Sequence, residues 1–187
     1  LVFNLGLVEM ISYWKATCSP EIVIKAGYLN EDQIKWWKEL LIKGLGEFFY
    51  KNKIDFTKSD LVNIVSHPEL VSGSNIEMPK PFSEIQGKQF RHDTELQKRD
   101  LILVGGGKDS AVTLETIERK GSNCLLLNPT EAAKKIATAS GCKNPIIIRR
   151  TIDPKLLELN GKGYLNGHTP FSAYLAFLST LAAVLYN

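Results

Sequence analysis

Cysteine is scarce. The chain of 187 residues has three, Cys18, Cys124 and Cys142, widely spaced and odd in number, with no Cys-x-x-Cys pair. No disulfide framework is expected, and a reducing cytoplasm is the default compartment. The N-terminus lacks a basic segment and a small-residue cleavage site, so it does not read as a secretory signal. Excess charge is also lacking: the net charge is +3, too small to argue for a nucleic-acid partner. Long apolar runs are limited to residues 171–186, which carry Ser172, Ser179 and Thr180 and fall short of the roughly 20 residues a bilayer span requires. That run is expected to be a buried core helix, with no membrane insertion.

What is present is ordinary for a globular protein: 44% hydrophobic and 23% charged residues, with length for one domain or one and a half. The chain starts at Leu1 rather than Met and ends at Leu185-Tyr186-Asn187, directly after an apolar run. Both ends read as cuts, and a fragment of a longer protein is expected.

Two regions are expected. Residues 1–85 read as mostly helical. Ile22-Val23-Ile24 is a short strand candidate, and Asn30-Glu31-Asp32-Gln33 is a helix start with Asn30 as N-cap and Gln33 at the capping-box position. Ile34, Trp37, Leu41 and Leu45 follow at helical spacing, predicting a helix to about Tyr50. Trp36, Trp37, Phe48 and Phe49 are expected in the core, and residues 60–66 as another short helix. Residues 66–100, richer in Pro, Gly and Ser, read as an irregular connection containing a solvated basic cluster, Lys88-Gln89-Phe90-Arg91-His92.

Residues 86–187 read as α/β. The expected order is strand 101–104, helix 111–120 closed by Gly121, strand 123–127, helix 130–140 closed by Gly141, and strand 145–149. This alternation argues for a Rossmann-like, doubly wound parallel sheet. Ligands of such sheets sit at the carboxyl ends of the strands, here Gly105–Ser110, Asn128-Pro129-Thr130 and Arg149-Arg150-Thr151.

The first of these ends is the most informative. Gly105, Gly106 and Gly107 permit a tight turn and close approach of an anion, and the following helix start directs N–H groups and dipole at the same spot. Lys108 adds a cation, Ser110 a donor, and Asp109 a carboxylate suited to Mg²⁺ beside phosphate oxygens. A Walker A loop is excluded, because Ile102 stands where its first glycine belongs and Asp109 follows Lys108. A dinucleotide fingerprint is excluded because Ser110 occupies its third glycine position. The loop resembles the Ser-Gly-Gly-x-Asp-Ser loop of the PP-loop ATP pyrophosphatases, with Gly105 in place of the usual Ser. That resemblance implies ATP and Mg²⁺ as cofactors, with the loop cradling pyrophosphate.

A second loop, Gly161-Lys-Gly-Tyr-Leu-Asn-Gly-His-Thr-Pro170, precedes the apolar helix. Thr169 can serve as N-cap and Pro170 as the first helical residue. His168 then precedes a helix N-terminus, whose positive end favours the neutral imidazole of a proton acceptor. A capping or packing role is the competing reading. Arg149 and Arg150 could pair with phosphates or a carboxylate, structural ion pairing being the alternative.

Residues Val104–Ser110 together with Gly163-Tyr-Leu-Asn-Gly-His-Thr-Pro-Phe-Ser172 resemble the UDP-N-acetylmuramoyl-L-alanyl-L-glutamate epimerase family. Asn4-Leu-Gly-Leu, Ser12-Tyr-Trp-Lys-Ala16 and the Trp36-Trp37 helix are similar to it as well. The resemblance implies an isomerase of peptidoglycan precursor synthesis that converts the terminal L-glutamate of UDP-MurNAc-L-Ala-L-Glu to D-glutamate with release of AMP and pyrophosphate. It implies a UDP-linked muramoyl dipeptide as substrate and leaves oligomeric state open. Under it, His168, Lys108 and Asn166 are catalytic candidates, Gly105–Ser110 bind the nucleotide, Asp109 holds the metal, and Arg149, Arg150 and, more remotely, Lys15 bind substrate. Two rivals remain: another adenylating PP-loop enzyme, tRNA-thiolating or amide-forming, and a non-catalytic nucleotide-binding module. Thiolation calls for a cysteine pair and a basic RNA-binding run, and neither is visible.

Overall fold

The computed structural model describes residues 1–58, 60–66, 98–117 and 121–186. By internal contacts the chain divides into two compact units, Leu1–His92 with Asp153–Leu175, and Asp93–Ile152 with Ala176–Asn187. The expected cut between residues 85 and 86, and the basic cluster 88–92, lie outside the described residues. Residues 153–175 were expected with the α/β region. They group instead with the first unit.

In the first unit, α1 (Val2–Trp14) buries Leu7, Val8, Ile11 and Trp14, one face of a helix. Strand β1 (Glu21–Val23) pairs in parallel with β2 (Asn63–Val65), Ile22 opposite Ile64. The expected helix at 60–66 is therefore a strand: the β-branched run Ile64-Val65 finds a partner edge, and pairing overrides local preference. Helix α2 (Glu31–Gly44) starts at Asn30 with the full capping box, worth about 1 kcal/mol. It stops before Tyr50. Leu45 leaves helical geometry at φ −112°, ψ 18°, and α3 (Gly46–Lys51) begins anew. Gly44 and Gly46 flank that break and are poor helix formers, and Pro170 packs where a Gly44 Cβ would stand, 3.0 Å away.

Trp37, Leu41, Leu45, Phe48 and Phe49 are buried as expected. Trp36 is not in the core. It is 50% exposed and meets Trp37 edge to face at 5.0 Å between centroids, because adjacent helical residues cannot share one face. Helix α6 (Pro154–Gly161, numbered after the two helices of the second unit) starts with Pro at its first turn, and the Asp153 side chain accepts from Lys155 N–H.

In the second unit, β3 (Leu101–Leu103), α4 (Lys108–Thr116), β4 (Asn123–Leu127), α5 (Glu131–Ala139) and β5 (Ile146–Ile148) follow in order. The strands form a parallel sheet ordered β3-β4-β5. The α/β class is as expected. Among the described residues this sheet runs in chain order without the reversal that defines a doubly wound sheet. Alternation along the strands sends Ile102, Val104, Cys124 and Leu126 to one face against Leu114 of α4 and Ala133 and Ala137 of α5. Leu125 and Ile146 on the other face meet Ala182 of α7 (Phe171–Leu185). Helix α4 begins at Lys108, three residues before the expected start. Thr130 caps α5 with a hydrogen bond from Ala133 N–H.

Helix α7 is less buried than expected for a core helix. Tyr174, Leu178 and Ala182 form a buried stripe at four-residue spacing, whereas Phe171, Val184 and Leu185 are exposed. Among the described residues no helix is long and apolar enough to cross a membrane. The structure pairs Cys124 with Cys142, Cα atoms 6.3 Å apart, against the expectation of no disulfide. The pairing arises because β4 and the turn after α5 meet in space, which 18 residues of separation do not announce. Cys18 is the free cysteine, and burial pushes its thiol up.

Leu126 is fully buried at 0% exposure in the middle of β4. Leu126→Ala is expected to destabilise the protein by about 2–5 kcal/mol, read as a lowered urea midpoint with unchanged slope.

Candidate functional site

The glycine loop leaves β3 after buried Val104. Gly106 has φ +89°, and an ideal Cβ there would stand 2.7 Å from Ala133 N in the first turn of α5. The loop thus lies backbone to backbone against a second helix start, which only glycine allows. Gly107 is the N-cap of α4, extended at φ −92°, ψ 173°, with no side-chain cap. Gly105 N–H donates to Ser110 Oγ at 3.1 Å, folding the loop back on the helix. Ser110 accepts there, so its hydroxyl proton is still available to donate outward.

Among the described residues, no acceptor is seen for the N–H groups of Gly106, Gly107, Lys108 and Asp109. Exposed donors at a helix start, with Lys108 and Asp109 exposed beside them, form a cradle of the right chemistry for a phosphate group. Among the described residues no cluster of three His, Cys, Asp or Glu side chains could hold a metal ion. Asp109 is the carboxylate beside the cradle that could hold a metal ion.

The parallel strands put the other two loop ends at the same edge of the sheet. Asn128, at φ +43°, donates from Nδ2 to Arg150 O and accepts at Oδ1 from Arg150 N–H, both at 2.9 Å. Its amide therefore fixes the exit of β5. Arg149 is exposed there and Arg150 half-buried. The bracing role of Asn128 escaped sequence reading, although an Asn at a strand end is a usual occupant of positive φ.

The other expected residues come together in the first unit. Lys15 directly follows α1 and is 4% exposed. Its ammonium donates to Gly167 O and, at 3.0 Å, to Thr169 Oγ1. Ser12 Oγ lies 3.3 Å from Thr169 Oγ1, and Leu165 N–H donates to Ala16 O at 3.3 Å. These bonds draw residues 153–175 into the N-terminal unit. Thr169 is not the N-cap of α7. Its hydroxyl is turned toward Lys15, and Pro170 O accepts the first helical bond from Tyr174 N–H.

His168 has a side chain 80% exposed, with Nε2 3.9 Å from Glu47 Oε1. Glu47 is also paired with Lys51 at 2.5 Å. That hydrogen bond is the largest reason the Glu47 carboxyl sits below its ordinary range, with smaller contributions from the charges of Lys51 and His168. Asn52 Nδ2 donates to Phe48 O and approaches Asn166 O at 3.4 Å. Glu47, Phe48, Lys51, Asn166, Gly167 and His168 line one open depression of about 390 Å³. Glu47, Lys51 and Asn52 escaped sequence reading, since α3 reads only as a short aromatic helix.

Gly106→Ala is expected to cost about 1–3 kcal/mol, from a non-glycine residue at positive φ and contact with Ala133. Gly107→Ala, whose Cβ meets open space, is expected to cost under about 1 kcal/mol. Urea unfolding of the two variants distinguishes them.

A family profile described as the MurL N-terminal domain matches residues 1–187. The chain is 32% identical over 183 residues to a protein of Salinispora tropica named UDP-N-acetyl-alpha-D-muramoyl-L-alanyl-L-glutamate epimerase. It is 33% identical over 183 residues to a protein of the same name from a Micromonospora species, and 27% over 184 residues to one from Xanthomonas oryzae pv. oryzae. Each alignment takes in 97% of this chain and 36% of the relative, so the chain spans about a third of the length of these relatives. No solved structure matches. The profile takes in both units, the glycine loop of one and the Lys15-anchored loop of the other, and the chain therefore belongs to the MurL N-terminal domain family.

Proposed function

We propose that this chain is the nucleotide-binding and loop-bearing part of an ATP-dependent epimerase. The enzyme inverts the terminal L-glutamate of a UDP-linked muramoyl dipeptide in peptidoglycan precursor synthesis, in the cytoplasm. The observation that carries the reading is the alignment of 97% of the chain with proteins named for that epimerisation. The glycine loop supplies the chemical reason for ATP, and its place at the strand ends supports assignment to the PP-loop type.

The difficulty in epimerising a C-terminal glutamate is its free carboxylate. Removing the Cα proton from it would create a dianion. In the proposed route, a carboxylate oxygen attacks the α-phosphorus of ATP and pyrophosphate leaves, giving an acyl-adenylate. The adjacent Cα–H is then acidic enough for a base to remove, and the electron pair moves into an enolate. A proton returns to the opposite face, and water cleaves the mixed anhydride to give the D-glutamate carboxylate and AMP.

The chain's residues divide this work. The N–H groups of Gly106 and Gly107, with Lys108 and the Ser110 hydroxyl, hold the departing pyrophosphate. Asp109 would hold Mg²⁺, which when bound would supply neutralisation of phosphate charge. His168 moves the Cα proton, Asn166 positions the reacting group, and Arg149 and Arg150 pair with substrate anions.

The test uses the full-length protein in deuterated water with ATP and Mg²⁺. AMP should form only when UDP-MurNAc-L-Ala-L-Glu is present, with deuterium appearing at the glutamate Cα. AMP without that dipeptide, or with a different acceptor, would point to another adenylating enzyme. His168→Ala is expected to retain ATP binding and to reduce Cα exchange by about 10²–10⁴-fold, the usual range for loss of a general acid or base. Exchange at the parent rate would remove His168 from the proton transfer.

A further inference from the structure

We infer that Lys15 is the positioning residue for His168: one buried ammonium holds the backbone carbonyl before it and the side-chain hydroxyl after it. The activity arm of this inference rests on the proposed epimerase reading. The structural arm does not.

The loop from Lys162 to Pro170 contains Gly163 and Gly167, and glycines make a segment costly to order, at about 1–2 kcal/mol per residue of backbone. A proton-transfer group on such a segment needs an external brace. The His168 side chain is too exposed to brace itself by packing, at 80%, and Glu47 stands 3.9 Å away, beyond hydrogen-bond reach.

Lys15 supplies what is missing. Gly167 O belongs to the planar peptide unit that ends at His168 N, so capturing that oxygen fixes the direction from which the chain enters His168. Thr169 Oγ1 belongs to the next residue, and capturing it at 3.0 Å fixes the exit. Held at these two points, the backbone at His168 is restrained on its entry side directly and on its exit side through the Thr169 side chain.

Three further contacts act the same way. Ser12 Oγ lies 3.3 Å from the Thr169 hydroxyl. The Phe48 ring fills the space where a Gly167 Cβ would stand, 2.8 Å away. The Lys15 ammonium sits 5.9 Å over that ring, within range of a cation–π contact. An ammonium enclosed to this degree is costly to desolvate unless hydrogen-bonded, and its bonds to the loop offset that cost. This assigns Lys15 a part different from direct substrate binding, since its charge is directed inward to the chain's own oxygens.

The test compares Lys15→Met and Thr169→Val with the parent in the full-length protein. Thr169→Val keeps the fold informative where Lys15→Met fails to fold. With ¹³C-labelled histidine, the His168 ring resonance, assigned by its loss in His168→Ala, is expected to shift and broaden in both variants. In the activity arm, the KM for ATP is expected to hold within about twofold while kcat for Cα deuterium exchange falls by at least about tenfold. An unmoved His168 resonance in both variants would overturn the inference. So would a raised KM for the dipeptide at unchanged kcat, which is the mark of a substrate ligand. If the parent itself shows no exchange, the epimerase reading fails and the histidine resonances alone decide the role of Lys15.

Discussion

At Gly106 in one unit and Gly167 in the other, an ideal Cβ would fall 2.7 and 2.8 Å from a neighbouring heavy atom. Both candidate loops depend on this closeness. Gly106 brings the glycine loop against the first turn of α5, so two helix starts meet at one sheet edge. Gly167 brings the His168 loop onto the Phe48 ring and its carbonyl to the Lys15 ammonium. Absence of a side chain lets backbone polar groups be aimed by the tertiary structure rather than shielded by their own residue.

Each unit uses a different physical device to hold its loop. In the second unit the sheet does the work. Parallel pairing of β3, β4 and β5 puts all carboxyl ends on one edge, helices cover both faces, and the Asn128 amide ties the exit of β5 to the end of β4. In the first unit, among the described residues, a buried cation holds the loop. The salt bridges on the helices contribute little by comparison. Lys43–Glu39, Lys134–Glu131 and Lys155–Glu158 are pairs three or four residues apart, well exposed, and water and salt screen them.

Much of the local structure around the candidate loops was legible in the residues. The glycine loop, its following helix and the strands around it appear where the apolar runs and glycines place them, and Asn30 caps the helix it precedes. Lys15 was legible only as part of a resemblance. Its partners lie about 150 residues away in the chain, and nothing near Lys15 marks it as bound for the interior. Glu47 and Asn52 were hidden for the same reason: their helix has no distinctive pattern, and proximity to Asn166 and His168 exists only after folding.

The sequence by itself determined what nearest neighbours decide. A cap needs an oxygen three residues before an N–H, a buried strand needs a short apolar run, and a tight turn into a helix needs glycines. Those conditions are met within a few residues at Asn30, Leu125 and Gly105–Gly107. The tertiary structure decided the rest. Residues 63–65 became a strand because β1 offered an edge. The helix expected to reach Tyr50 broke at Leu45, between two glycines and with Pro170 packed on Gly44. Thr169 gave its hydroxyl to Lys15 instead of to a helix start, and Cys124 met Cys142 across a strand and a turn. In each of these, a partner distant in sequence competed with the local preference and prevailed, because burying a group against a fixed neighbour is worth more than the fraction of a kcal/mol that separates one backbone preference from another.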